Sequence, residues 1–133
     1  MYALDTNICI YYIDGSSWQV KEHLCRYSPS EIRIPAIVLA ELMVGGTESA
    51  QREKVTRTVN AFVCQFEVID FGKECAAAYG VIKADLVRHS LKMGPNDLMI
   101  AASALALGAT LVTNNTKDFA RVTGLTLENW TEE

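Results

Sequence analysis

Short apolar segments alternate with amphipathic helical stretches along the whole chain, and this alternation restricts the fold more than any other feature. Tyr2-Ala3-Leu4 reads as a strand that delivers Asp5-Thr6-Asn7 at its C-terminal end. Residues 8–13 read as a short helix, stopped by Asp14-Gly15. Val20, His23, Leu24 and Tyr27 recur at i, i+3, i+4 and i+7, the spacing of one helix face. Ser28-Pro29-Ser30 closes that helix, and residues 32–34 form a second strand. Pro35 suits the turn or first helical position after it. Residues 36–44 then predict a helix ended by Gly45-Gly46. Val55, Val59, Phe62, Val63 and Phe66 make another helical stripe, Val68-Ile69 a third strand, and Cys75, Tyr79, Ile82 and Leu86 a long amphipathic helix. Gly94-Pro95-Asn96-Asp97 reads as a turn and N-cap opening a helix over 98–107, which Gly108 ends. Thr110-Leu111-Val112 is a fourth strand and Leu125-Thr126-Leu127 a candidate fifth.

Strands alternating with helices predict an α/β fold, a three-layer α/β/α sandwich around a short, mostly parallel sheet. The 133 residues are enough for one domain spanning 1–133, with no linker or repeat. In such folds the working site lies at the C-terminal ends of the strands. The polar residues after the first and fourth strands are therefore the candidates.

Acidic residues stand out there. Asp5 ends the first strand, and Asp118 follows Thr113-Asn114-Asn115-Thr116-Lys117 after the fourth. Asp97 opens the most apolar helix. Glu41 is the only charged residue in the eleven from 34 to 44. A helix that apolar is expected to be largely buried, and an ionised carboxylate out of water needs a partner or a metal. No Lys or Arg lies within one helical turn of Glu41. Taken singly, each acid has a plainer reading: Asp5 as an N-cap, Asp97 as a helix-dipole partner, Asp118 as a solvated loop residue, Glu41 as a helix-edge residue facing water. Co-location shifts the balance. Several carboxylates in one cleft repel one another, and a hard divalent cation with oxygen ligands, Mg²⁺ or Mn²⁺, relieves that repulsion. Such a cation acidifies water and offsets charge building on a phosphoryl group, so the natural reaction is metal-assisted phosphodiester hydrolysis.

The net charge of −4 argues against loose binding to nucleic acid through a basic surface, but a bound cation reverses the local field of a carboxylate cluster. Cys9, Cys25, Cys64 and Cys75 show neither C-x-x-C nor zinc-finger spacing and read as reduced core residues on helices. His23 and His89 are expected on helix surfaces, which disfavours His-based transphosphorylation. No apolar run approaches a membrane span, and the first residues lack the pattern of a signal peptide, so a cytoplasmic protein is expected.

At these residues the chain closely resembles the VapC-type toxins of the PIN-domain ribonuclease family. The matching blocks are Leu4-Asp5-Thr6-Asn7-Ile8-Cys9-Ile10-Tyr11; Ala40-Glu41-Leu42 with Gly45; Gly94-Pro95-Asn96-Asp97-Leu98-Met99-Ile100-Ala101-Ala102; and Leu111-Val112-Thr113-Asn114-Asn115-Thr116-Lys117-Asp118-Phe119. The ending, from Val122 through Gly124-Leu125 to Glu128-Asn129-Trp130, is also similar. A lone L-D-T-N would be weak, whereas these ordered blocks span essentially the whole chain. The resemblance implies a PIN fold and an Mg²⁺-dependent endoribonuclease, with Mn²⁺ as a substitute. It also implies structured RNA as substrate, often the anticodon stem-loop of tRNA, including initiator tRNA. Further implications are a homodimer and a VapB-type antitoxin whose C-terminal segment inserts into the active-site groove. By position, Asp5 and Asp97 match the metal ligands and Glu41 the third acid. Where many PIN domains carry an Asp after the fourth strand, this chain has Asn115. The VapC subgroup with T-N-N often has an acid three residues later, here Asp118, which would act directly, through water, or by orienting a ligand. Thr6, Asn7, Asn96, Thr113 and Asn115 match supporting positions that orient ligands or contact phosphate; Thr6 and Thr113 serve equally well as caps or strand ends.

Two other readings remain. A haloacid-dehalogenase-type phosphatase also begins with an Asp after the first strand, but needs a second Asp two residues on, where this chain has Asn7. A non-catalytic PIN-like RNA- or protein-binding module would have lost its acids, and all four are present.

Overall fold

The computed structural model describes residues 1–47 and 50–132, the side chains of 46 and 47 excepted. Five short strands form one sheet in the order β3-β2-β1-β4-β5, every pairing parallel. The strands are β1 (Tyr2–Leu4), β2 (Ile32–Pro35), β3 (Glu67–Ile69), β4 (Thr110–Val112) and β5 (Leu127–Glu128). The helices are α1 (Thr6–Asp14), α2 (Trp18–Cys25), α3 (Ala36–Thr47), α4 (Arg52–Val63), α5 (Lys73–Arg88), α6 (Pro95–Leu107) and α7 (Thr116–Phe119). The expected mostly parallel α/β/α sandwich is the architecture observed.

The strand order decides where the helices go. From β1 the chain steps outward to β2 and β3, then crosses β1 to reach β4 and β5. Right-handed crossovers on opposite headings place α1–α4 on one face and α5–α7 on the other. The helix contacts agree, since α5 packs on α6, and α1 packs on α2, α3 and α4. The sheet is the middle of the core: Ala3, Leu4, Ile32, Ile34, Leu111 and Val112 are all essentially unexposed. Strands covered on both faces are expected to be mostly apolar, as β1 is, whereas Arg33 interrupts β2 and pairs with Glu67 of β3.

Local chemistry sets several ends. Ser17 caps α2 by accepting the Val20 N–H at 3.3 Å. Gly108 ends α6 at φ 71°, in the left-handed region that a side chain disfavours. The expected stop of α3 at Gly45-Gly46 is not observed, because the helix runs on to Thr47. A glycine inside a helix costs only about 1 kcal/mol and does not forbid helical backbone. The fifth strand falls at Leu127–Glu128, later than expected. Among the cysteines, Cys9 and Cys75 are buried but Cys25 and Cys64 are exposed, so the expectation of four core thiols fails for two. Both exposed thiols sit at or just beyond a helix C-terminus. His23 is half-buried and stacks on Trp130 at 5.4 Å, so it is not the surface residue expected; His89 is exposed just after α5. No helix among the described residues is long and apolar enough to cross a membrane.

Leu111 lies at the centre of β4 with 0% exposure. Leu111→Ala should destabilise by about 2–5 kcal/mol, since the surrounding strands and helices cannot collapse onto the void. Denaturant titration should show a lower midpoint at unchanged slope.

Candidate active site

β1 and β4 are neighbours whose following helices leave on opposite faces, so the sheet opens a crevice beyond their C-terminal ends. The register Leu4↔Val112 brings the next residues, Asp5 and Thr113, side by side. The Asp5 N–H donates to the Val112 carbonyl at 2.9 Å, extending the ladder by one bond. The Thr113 hydroxyl then donates to Asp5 Oδ2 at 2.7 Å, a contact between residues 108 apart in sequence. The Thr6 N–H donates to Asp5 Oδ1 at 2.8 Å, which makes Asp5 the N-cap of α1. The cap reading of Asp5 therefore holds, and the cap lies at the strand end where the candidate site was expected. Asp5 is only 6% exposed, yet it has no basic partner among the described ion pairs.

Glu41 reaches the same place from α3. The Thr6 hydroxyl donates to its Oε1 at 2.6 Å, and the Asn96 amide to its Oε2 at 3.4 Å. It is half-buried rather than fully buried, and its partners are a hydroxyl and an amide rather than a cation. The expected need for a partner or a metal is met in part by residues distant in sequence, which supply the hydrogen bonds.

Asp97 is the third residue of α6, not its N-cap, since the helix begins at Pro95 with Gly94 before it. Among the described hydrogen bonds, none engages its side chain. Asp118 lies in the short helix α7 rather than in a loop. The Asn115 amide donates to it at 3.0 Å, and Arg121 pairs with it at 3.6 Å. The Asn115 N–H also donates to the Thr113 hydroxyl at 3.0 Å, linking Asp118 back to Asp5. Asn7 is exposed and joins none of these hydrogen bonds among the described residues. The sequence reading missed Arg121, three residues past Asp118, and Tyr11, whose hydroxyl accepts from Asn114 at 3.0 Å. Their one available signal was helical spacing, from Asp118 to Arg121 and from Asn7 to Tyr11.

The acids feel one another. Burial raises the pKa of Asp97 above the usual 3.8, and the charges of Asp5, Glu41 and Asp118 raise it further. Burial likewise raises Asp5, with Glu41 adding to the shift, while the hydrogen bonds from Thr113 and Thr6 pull it back down.

The PIN domain family model matches residues 2–125 of this chain. The chain belongs to the PIN-domain family. This PIN domain is 42% identical over 133 residues to ribonuclease VapC2 of Rickettsia felis, covering 98% of each chain. It is 36% identical over 129 residues to the tRNA(fMet)-specific endonuclease VapC of Shigella flexneri, covering 97% of each. Among solved structures it is similar to VapBC2 from Rickettsia felis bound to a DNA fragment from their promoter. There the TM-score is 0.90 at 40% identity, with 97% of this chain and 98% of the other covered.

The donor set of this PIN domain suits a hard cation held loosely. All four groups are carboxylates, and Asp97 carries the repulsion of the other three. Among the described residues, no three acids, His or Cys stand close enough to grip a metal by themselves. Mg²⁺ is commonly bound through one or two carboxylates while keeping several waters, so a pair of ligands is sufficient.

Two tests follow from the electrostatics. The raised pKa values of Asp5 and Asp97 mean that the folded state holds protons more tightly than the unfolded chain. That stability is fully present below the ordinary carboxylate pKa and is lost as pH rises through the folded values. In metal-free buffer, Asp97→Asn should therefore melt above the wild type at pH 7, and the gap should close as pH falls below about 4. Thr113→Val removes a donor that favours the charged form of Asp5, so an NMR titration of the Asp5 carboxyl should show its pKa higher than in the wild type.

Proposed function

We propose that this PIN domain is an Mg²⁺-dependent endoribonuclease and the toxin of a VapBC-type toxin–antitoxin pair. The observation that carries the reading is the convergence of Asp5, Glu41, Asp97 and Asp118 beyond the C-terminal ends of β1 and β4. It occurs in a chain similar over nearly its full length to proteins named VapC ribonucleases. The domain is taken as 1–133, working as a homodimer in the cytoplasm.

Asp5 and Asp97 are the proposed ligands of the cation, with Mn²⁺ as a substitute. Asp5 is held by the Thr6 N–H and the Thr113 hydroxyl, which leave lone pairs on each oxygen for a further contact. Asp97 lies in the first turn of α6 and feels the charges of the other three acids. Thr6 and Asn96 fix both oxygens of Glu41, so its carboxylate is oriented to hold a water or accept a proton. Asn115 and Arg121 hold Asp118, whose position suits orienting a water rather than direct ligation. When bound, the cation acidifies water and offsets the charge that builds on the phosphoryl oxygens. Neither His23, stacked on Trp130, nor His89, beyond the end of α5, is engaged with these acids. Hydrolysis rather than 2′-hydroxyl attack is therefore the expected chemistry.

The proposed substrate is structured RNA, tRNA and its anticodon stem-loop, by analogy with the tRNA(fMet)-specific relative. The proposed partner is a VapB-type antitoxin, as in the VapBC complexes this fold resembles, with its C-terminal segment entering the acidic groove.

Loss of a residue that supports a metal ligand costs about 10- to 100-fold in activity, so loss of a ligand itself should exceed that. Purified Asp97→Asn should retain its fold by circular dichroism and lose RNA cleavage, and EDTA should silence the wild type until Mg²⁺ is restored. Mapping RNA 5′ ends after induction without the antitoxin identifies the target. Wild-type cleavage rates in the Asp97→Asn protein would refute its role, and cleavage at anticodon loops would bear out the substrate.

A further inference from the structure

Beside the acidic crevice lies a surface recess of about 340 Å³, lined by Tyr11, Ser16, Ser17, Asn114 and Thr131. Its walls come from α1, from the turn after it, from the segment after β4 and from the chain's end. No charged side chain lines it, and every lining side chain carries a hydroxyl or an amide. That chemistry suits an uncharged, hydrogen-bonding group, and the recess offers no cation to pair with a phosphate.

Two connections tie the recess to the acids. Asn114 directly follows Thr113, whose hydroxyl holds Asp5. Tyr11 lies six residues beyond Asp5 on α1, which is roughly 9 Å along the axis at about 1.5 Å per residue. That is about the reach of one nucleotide from a phosphate held at Asp5.

The Asn114–Tyr11 pair is oriented for recognition. The Asn114 amide donates to the Tyr11 oxygen at 3.0 Å, so the phenol accepts there and keeps its own hydrogen. Among the described hydrogen bonds that hydrogen has no acceptor in the protein. Asn114 Oδ1 is buried with no partner, an unfavourable arrangement that packing alone does not require. The residue gives up one hydrogen bond of its own while fixing the ring and hydroxyl of Tyr11 at the recess.

We propose that this recess receives the nucleobase of the nucleotide flanking the scissile phosphate. Tyr11 stacks on the base and donates a hydrogen bond to its edge, and Asn114 acts as the residue that positions Tyr11. The proposal rests on the ribonuclease reading above and adds to it a site that selects among bases.

The test uses the full chain with Mg²⁺ and a short RNA carrying the mapped cleavage site, with an abasic ribose placed at each flanking position in turn. Aromatic stacking on a single base is expected to be worth about 10- to 100-fold. One abasic position should lower kcat/KM by that factor in the wild type. Tyr11→Ala should show the same loss on intact RNA and no further loss on the abasic RNA. Tyr11→Phe keeps the ring, so it should keep the abasic penalty while losing discrimination between bases with and without an acceptor at that edge. Thermal melts confirm that both variants fold. Independent, multiplying penalties, or a wild type indifferent to every abasic position, would overturn the proposal.

A wild type that cleaves no RNA with any divalent cation would overturn the ribonuclease reading instead. The recess is then judged by NMR titration of the four ribonucleosides into the Asp97→Asn protein. Shifts confined to the amides around Tyr11, Ser16, Asn114 and Thr131 support base binding, and their absence defeats it.

Discussion

Everything at the candidate site depends on the parallel pairing of β1 with β4. The strands are three residues each, so little backbone hydrogen bonding specifies the register. Burial specifies it instead. Ala3, Leu4, Leu111 and Val112 are covered on both faces, and a slip of one residue would turn a polar neighbour into the core. With that register held, Asp5 and Thr113 are adjacent, and the hydroxyl of one reaches the carboxylate of the other. Glu41 then joins through Thr6, and Asp118 through Asn115. The site is a chain of hydrogen bonds anchored at one point.

The anchor also offsets part of the cost of burying a carboxylate that is only 6% exposed. Two donors stabilise the charged form of Asp5, while burial and Glu41 oppose it. Asp97 lacks such donors and carries its repulsion openly. The two proposed ligands thus differ in kind. Asp5 is pre-oriented by its two donors, and Asp97 is the one raised by the charges of all three other acids.

Much of this was legible in the chain. The strand–helix alternation predicted a parallel sheet, and the sheet rule pointed to the ends of the first and fourth strands, where Asp5 and Thr113 meet. Asp5 and Asp97 could be singled out as candidates because an acid at a strand end and an acid opening an apolar helix are local patterns. What stayed hidden depended on partners far away in sequence. Glu41 appeared to lack a counterpart because Thr6 and Asn96 lie 35 and 55 residues from it. The helix through Gly45 continued past an expected stop because neighbouring structure outweighs a modest propensity. Cys25 and Cys64 are exposed because an apolar-looking residue at a helix end is not obliged to face the sheet. The pairing of Tyr11 with Asn114 left no mark in the sequence, since it joins residues 103 apart.

The separation of Asp5 from Thr113 has a consequence for how the protein is made. A chain leaves the ribosome from its N-terminus, at about 5–20 residues per second. β1 and its carboxylate emerge first, but β4 is the strand that closes over it, and β4 belongs to the last quarter of the sequence. Until then Asp5 has no Thr113, the crevice has one wall, and Asp118 is not yet synthesised. Competence for chemistry therefore cannot precede the synthesis of β4 and α7.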